Sequence, residues 1–145
     1  MATNDRRPMG DRERARMDRP HLFAVNGSAD FLNLVRELFE GEAYNITTTN
    51  YVPETFDQIA ALRPSVLLVD LIRHERAGWD LLERLQTGAR THGIPVLVLS
   101  TAKANLDGVR DDHARYGGDA FLHKPFDLDD LLRAVQDLLA PATRH

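Results

Sequence analysis

Three short segments of this chain are apolar at consecutive positions: Leu22-Phe23-Ala24-Val25, Val66-Leu67-Leu68-Val69 and Ile94-Pro95-Val96-Leu97-Val98-Leu99. A strand with one wet face alternates apolar and polar residues, so a run without alternation must be covered on both faces. Such strands belong in a parallel sheet, because the crossovers that join parallel strands lay helices on both sides of it.

The stretches between these runs have helical periodicity. Asn26-Gly27-Ser28 reads as a turn into a helix carrying Phe31, Leu34, Val35, Leu38 and Phe39 on one face, with Gly41 as its stop. Tyr44 to Thr49 is rich in β-formers, and Pro53 opens a short helix with Phe56, Ile59 and Leu62 inward. Beyond Gly78 comes a helix with Trp79, Leu82 and Leu85 on its apolar face. A weaker helix over Ala104 to Tyr116, a strand over Asp119 to His123 and a helix over Leu128 to Leu139 complete five β/α units. Right-handed crossovers then predict an α/β fold with a five-stranded, doubly wound parallel sheet, helices on both faces and the flavodoxin-like order 2-1-3-4-5.

Residues 1–20 mix Arg, Asp, Pro and Gly with almost no large apolar side chains, and such a segment cannot offset the entropy of ordering. They read as a disordered tail. A basic arm for an acidic partner is the alternative, and Met9 and Met17 are further possible starts. The domain is placed at 21–140, with 141–145 as a C-terminal tail. At 145 residues the chain suits one domain. No apolar run approaches the roughly 18 residues of a membrane span, and the Arg-rich beginning lacks a signal-peptide core, so the expectation is a cytoplasmic protein without membrane partners.

Composition excludes several chemistries. Without cysteine there is no disulfide, thiolate nucleophile or Cys-based metal site. His21, His74, His92, His113, His123 and His145 lack the spacing that puts two imidazoles on one face. Residues 1–19 hold six Arg against four acids, leaving 12 basic against 18 acidic residues beyond, which argues against nucleic acid as a partner. No GxGxxG or GxxxxGK[ST] occurs, so a flavin or nucleotide binder is disfavoured.

In a doubly wound sheet the working crevice lies at the carboxyl ends of the strands, where the strand order reverses. Asn26, Gly27, Asp70, Ser100 and Lys124 all stand at or just beyond strand ends. Asp70 could act as a nucleophile toward a phosphoryl group, with Ser100 and Lys124 on its oxygens. Equally, Asp70 and Lys124 could be a salt bridge with Ser100 as a capping residue. Convergence alone leaves both readings open.

With Asp70 after its apolar strand, Gly78 eight residues later, Pro95 to Ser100, and Gly117-Gly118-Asp119-Ala120-Phe121-Leu122-His123-Lys124-Pro125-Phe126, the chain resembles the receiver domain of bacterial two-component response regulators over about residues 21–140. The resemblance implies that Asp70 is the phosphoacceptor, that Ser100 and Thr101 lie at the phosphoryl group, that Phe121 is a switch aromatic and that Lys124 is the site cation. It implies a cis peptide before Pro125 and Mg²⁺ held by Asp70, Asn26 and the Ile72 backbone carbonyl. Partners would be a sensor histidine kinase or another signalling protein, with a possible homodimer through the fourth helix, last strand and last helix.

The pattern breaks where receivers carry two adjacent acids, since Asn26 and Gly27 stand there. Mg²⁺ takes hard oxygen ligands, usually including one or two carboxylates, and only Asp70 supplies one. Arg73-His74 replace the usual Met-Pro, and Thr101 replaces a common Ala. Asp30 or Glu75 could restore a carboxylate, although Asp30 is better explained as a favourable charge near a helix N-terminus and Glu75 as a solvated loop residue. The expectation is a non-enzymatic, atypical single-domain receiver with weakened Mg²⁺ binding, weak or absent phosphorylation and output through protein contacts. The alternatives are an ordinary phosphoaccepting receiver and a small aspartyl-phosphate phosphotransferase or hydrolase, the latter lacking a second acid in Asp70-Leu71-Ile72. Trp79 reads as packing rather than a stacking platform, and Phe121 and His123, of equal parity, as residues on one outward side.

Overall fold

The computed structural model describes residue 10 and residues 19–72 and 75–140. Expectations on 1–9, 11–18, Arg73-His74 and 141–145 lie outside the described residues. Five parallel strands, β1 (His21–Val25), β2 (Asn45–Thr49), β3 (Val66–Leu71), β4 (Val96–Ser100) and β5 (Ala120–His123), pair in the order 2-1-3-4-5. The helices are α1 (Ala29–Gly41), α2 (Thr55–Leu62), α3 (Ala77–Thr87), α4 (Lys103–Asp111), α5 (His113–Tyr116) and α6 (Leu128–Leu139).

The unbroken apolar runs do what a doubly covered sheet requires. Alternate residues feed two separate cores: Phe23, Val25, Leu67, Val69, Val96 and Val98 pack with Ile59, Leu81, Leu82, Leu85, Leu106 and Val109. Leu22, Ala24, Val66, Leu68, Leu97 and Leu99 turn the other way, onto Leu32, Val35, Phe39, Leu131 and Val135. Thus α2, α3 and α4 cover one face, and α1 and α6 the other. Each fully buried aliphatic side chain contributes about 1.5–3 kcal/mol against exposure, and the runs place one on each side of the sheet at every two residues.

Several helix faces differ from those read in the sequence. In α1 the buried residues are Leu32, Val35 and Phe39, while Leu34 is 43% exposed. Leu62 is likewise exposed, at the last position of α2, which begins at Thr55 rather than Pro53 and is followed by Arg63 at φ 48° in the left-handed region. Buried Leu81 joins Leu82 and Leu85, and half-buried Trp79 meets the Tyr116 ring edge-on at 5.0 Å. The expected helix 104–116 is broken at Asp112 into α4 and α5. Gly117 and Gly118 follow with φ of 71° and 93°, a region that costs a side-chain-bearing residue strain, and turn the chain into β5. Asp119 then latches the edge by accepting from the Val96 N–H at 2.8 Å. The Pro20 carbonyl, just before β1, accepts from Asn45 N–H at 3.0 Å.

Candidate functional site

The sheet ends bring Asn26, Asp70, Ser100 and Lys124 to one rim. Val25 pairs with Val69, so Asn26 and Asp70 stand side by side one residue further along. Leu71 pairs with Ser100, and the Lys124 N–H donates to the Ser100 carbonyl at 2.8 Å. These ladders, rather than any local motif, gather the residues.

Asp70 is 7% exposed, and Lys124 Nζ lies 2.9 Å from its Oδ1. The two form a close ion pair across the rim. Burial pushes the Asp70 carboxyl above its ordinary value, and the hydrogen-bonding ammonium of Lys124 and its charge pull it part of the way back. Lys124 is also held from the other side, with Nζ 4.5 Å from the centre of the Phe31 ring, which directs its negative face at the cation. The Lys124–Pro125 peptide is cis.

Ser100 is fully buried, and its hydroxyl donates to the Leu71 carbonyl at 3.3 Å while accepting from Ala102 N–H and Asn105 Nδ2, each at 3.0 Å. Its hydrogen bonds tie β4 to β3 and to the start of α4. Thr101 is exposed, and its carbonyl lies 3.0 Å from His123 Nε2. Phe121 and His123 are not equivalent: His123 is exposed, whereas Phe121 is half-buried against the α4 side with Arg110 4.4 Å over its ring. An open, mainly apolar groove of about 500 Å³ borders the rim, lined by Phe31, Leu34, Thr101, Lys124, Pro125, Phe126 and Leu128.

The oxygens beside Asp70 are mostly engaged. Asn26 Oδ1 accepts from the Ser28 N–H at 2.7 Å, which fixes the amide so that Nδ2 faces inward, buried and without a partner. Ser28 in turn caps α1 by accepting from Phe31 N–H. The Ile72 carbonyl accepts from Glu75 N–H at 3.2 Å. Asp30 and Glu75 are exposed, and among the described residues no three His, Asp or Glu side chains gather as a metal-holding group.

Two contacts had no sequence signal. Tyr51, just after β2, donates its hydroxyl to the backbone carbonyl of Asp70, and the site carboxylate adds to burial in pushing the phenol pKa up. Gly78 leaves room for it: a Cβ there would lie 3.1 Å from the Tyr51 hydroxyl and 2.8 Å from Leu71 Cδ2. Asn105 is the other, visible only as a polar residue five positions beyond Ser100.

The family model of the response regulator receiver domain matches residues 22–136. The chain belongs to that family. This receiver is 36% identical over 87 residues to the response regulator Rre1 of Synechocystis, a match covering 60% of this chain and 37% of the relative. It is 30% identical over 118 residues to the probable transcriptional regulatory protein TcrX of Mycobacterium tuberculosis, covering 81% and 49%. The receiver thus spans less than half the length of these relatives. Among solved structures, the chemotaxis response regulator CheY4 of Vibrio cholerae has a TM-score of 0.73 at 20% identity, covering 83% of this chain and 99% of its own. The receiver domain of a sensor histidine kinase from Pseudomonas aeruginosa, with magnesium coordinated in its active-site cleft, has a TM-score of 0.70 at 16% identity, covering 83% and 98%. These likenesses show the fold. No helix among the described residues is long and apolar enough to cross a membrane.

Proposed function

We propose that this receiver is an atypical one, in which Asp70 takes a phosphoryl group weakly or not at all and output runs through protein–protein contact. The observation that carries this reading is the donor set around Asp70. Asn26 turns a buried N–H inward, Gly27 has no side chain, and the single carboxylate is already opposed by Lys124. These residues do not fit a divalent cation, which needs several oxygens in an octahedron and is repelled by N–H donors and ammonium groups. Without such a cation, the charge of a phosphate approaching Asp70 is balanced by Lys124 alone.

Within this reading Asp70 and Lys124 act chiefly as a fixed ion pair, and Ser100, Thr101, Phe121 and the cis Pro125 segment keep a receiver's shape. The domain is residues 21–140, non-enzymatic and cytoplasmic. A sensor histidine kinase or another signalling protein is its partner, with a homodimer through α4, β5 and α6 as a second contact. The retained Asp70, Ser100 and Lys124 favour one competing reading, an ordinary phosphoaccepting receiver.

Incubation with acetyl phosphate and Mg²⁺, followed by intact mass, separates the two. The expected result is no stoichiometric mass increase. Rapid, complete labelling that Asp70→Asn abolishes would establish the ordinary receiver instead.

A further inference from the structure

The space in front of Gly27 is taken. A Cβ built on Gly27 would lie 2.8 Å from Ile72 Cδ1 and 4.0 Å from Ile72 Cγ1. The half-buried Ile72 side chain therefore lies over Gly27 in the direction from which a side chain at that position would emerge. Next to it, Asn26 is 2% exposed, with its oxygen spent on the Ser28 N–H and its N–H₂ buried without a partner, and its backbone follows the Val25–Val69 pair as Asp70 does on the neighbouring strand.

Resting on the reading of the site as metal-poor, we propose that Ile72 is an apolar plug paired in size with Gly27. Together with the inward N–H of Asn26, it fills the place of a cation beside Asp70. Two physical effects combine. An isoleucine side chain offers no lone pair and resists hydration, whereas Mg²⁺ retains several waters at about 2.0–2.1 Å. A buried amide N–H₂ is a donor only: it offers a cation no lone pair and turns the positive end of its dipole toward it. Replacing the two neutral residues by acids is consequently insufficient: a carboxylate at position 27 must first displace Ile72 toward solvent.

The test compares wild type, Asn26→Asp/Gly27→Asp, and that double variant with Ile72→Ala, each titrated with Mg²⁺ by calorimetry and melted with and without it. Wild type should show no saturable binding. The triple variant should bind about tenfold or more tighter than the double, the scale on which residues around a metal's ligands alter affinity. Equal affinity of double and triple variants overturns the plug while leaving the reading of the site intact. Saturable Asp70-dependent binding by wild type overturns both.

A second measurement needs no metal and no acids. Gly27→Ala should lower the melting temperature when Ile72 is present and do so much less in an Ile72→Ala background, because the added methyl competes with Ile72 Cδ1 for space. Additive effects of the two substitutions would defeat the size pairing.

Discussion

Lys124 Nζ and Asp70 Oδ1 meet at 2.9 Å although their strands, β5 and β3, are separated by β4. The two side chains together bridge two strand spacings, roughly 9–10 Å, with the lysine end beside the Phe31 ring. Both side chains are largely covered, 20% and 10% exposed, so the pair is less screened than ion pairs on the surface. It is the main electrostatic tie at the rim and sets what a substitution at either end does.

Removing the cation leaves a covered carboxylate unopposed. Lys124→Met should destabilise the protein by about 1–3 kcal/mol near neutral pH, the usual cost of an uncompensated buried polar group. The Asp70→Asn/Lys124→Met double variant should regain most of that loss. Urea unfolding of wild type, Asp70→Asn, Lys124→Met and the double variant closes the cycle, and a double variant no better than Lys124→Met would show the lysine's value to be packing on Phe31.

The raised Asp70 pKa gives a pH dependence of definite sign. Between the unfolded value and the higher folded value the native state holds more protons, so this group's contribution to stability falls as pH rises through that window and stays low above it. Asp70→Asn, which cannot ionise, should be more stable than wild type at neutral pH, with the gap closing as pH drops below the folded pKa of Asp70. Denaturant midpoints across pH, beside a carboxyl NMR titration, check this. A gap that widens toward acid would mean that the ion pair outweighs burial.

Tyr51 and Gly78 are expected to be coupled. Tyr51→Phe removes the hydrogen bond to the Asp70 carbonyl and should cost about 1 kcal/mol. Gly78→Ala puts a methyl against Leu71 Cδ2 and the Tyr51 hydroxyl and should cost about 1–3 kcal/mol. Since the hydroxyl is one of the clashing groups, the double variant should lose less than the two single losses combined. Unfolding free energies that add within about 0.3–0.5 kcal/mol would mean that Leu71 alone makes the contact.

Much of this was legible in the chain. A strand that is apolar on both faces must be covered on both, so Leu22 to Val25, Val66 to Val69 and Val96 to Leu99, alternating with helical stretches, led to the doubly covered sheet, its order and the rim carrying Asp70. Helix faces were read less well. Periodicity allows adjacent stripes, and α1 turned Leu32 inward in place of Leu34 because its orientation is set by packing on the sheet.

Within the candidate site, sequence by itself determined the inventory: one carboxylate, one lysine, a serine, and an amide and a glycine where the family's acids stand. Tertiary structure decided how they face. The Asn26 amide orientation follows from the Ser28 N–H it accepts, the Ile72 position over Gly27 from the adjacency of β1 and β3, and the Tyr51 contact from the reach of the β2 end across to β3. Residue type fixes what a group can donate, accept or exclude, and side-chain periodicity records burial along one element. Contacts between the ends of different strands depend on register and loop direction, which exist only once the sheet has assembled.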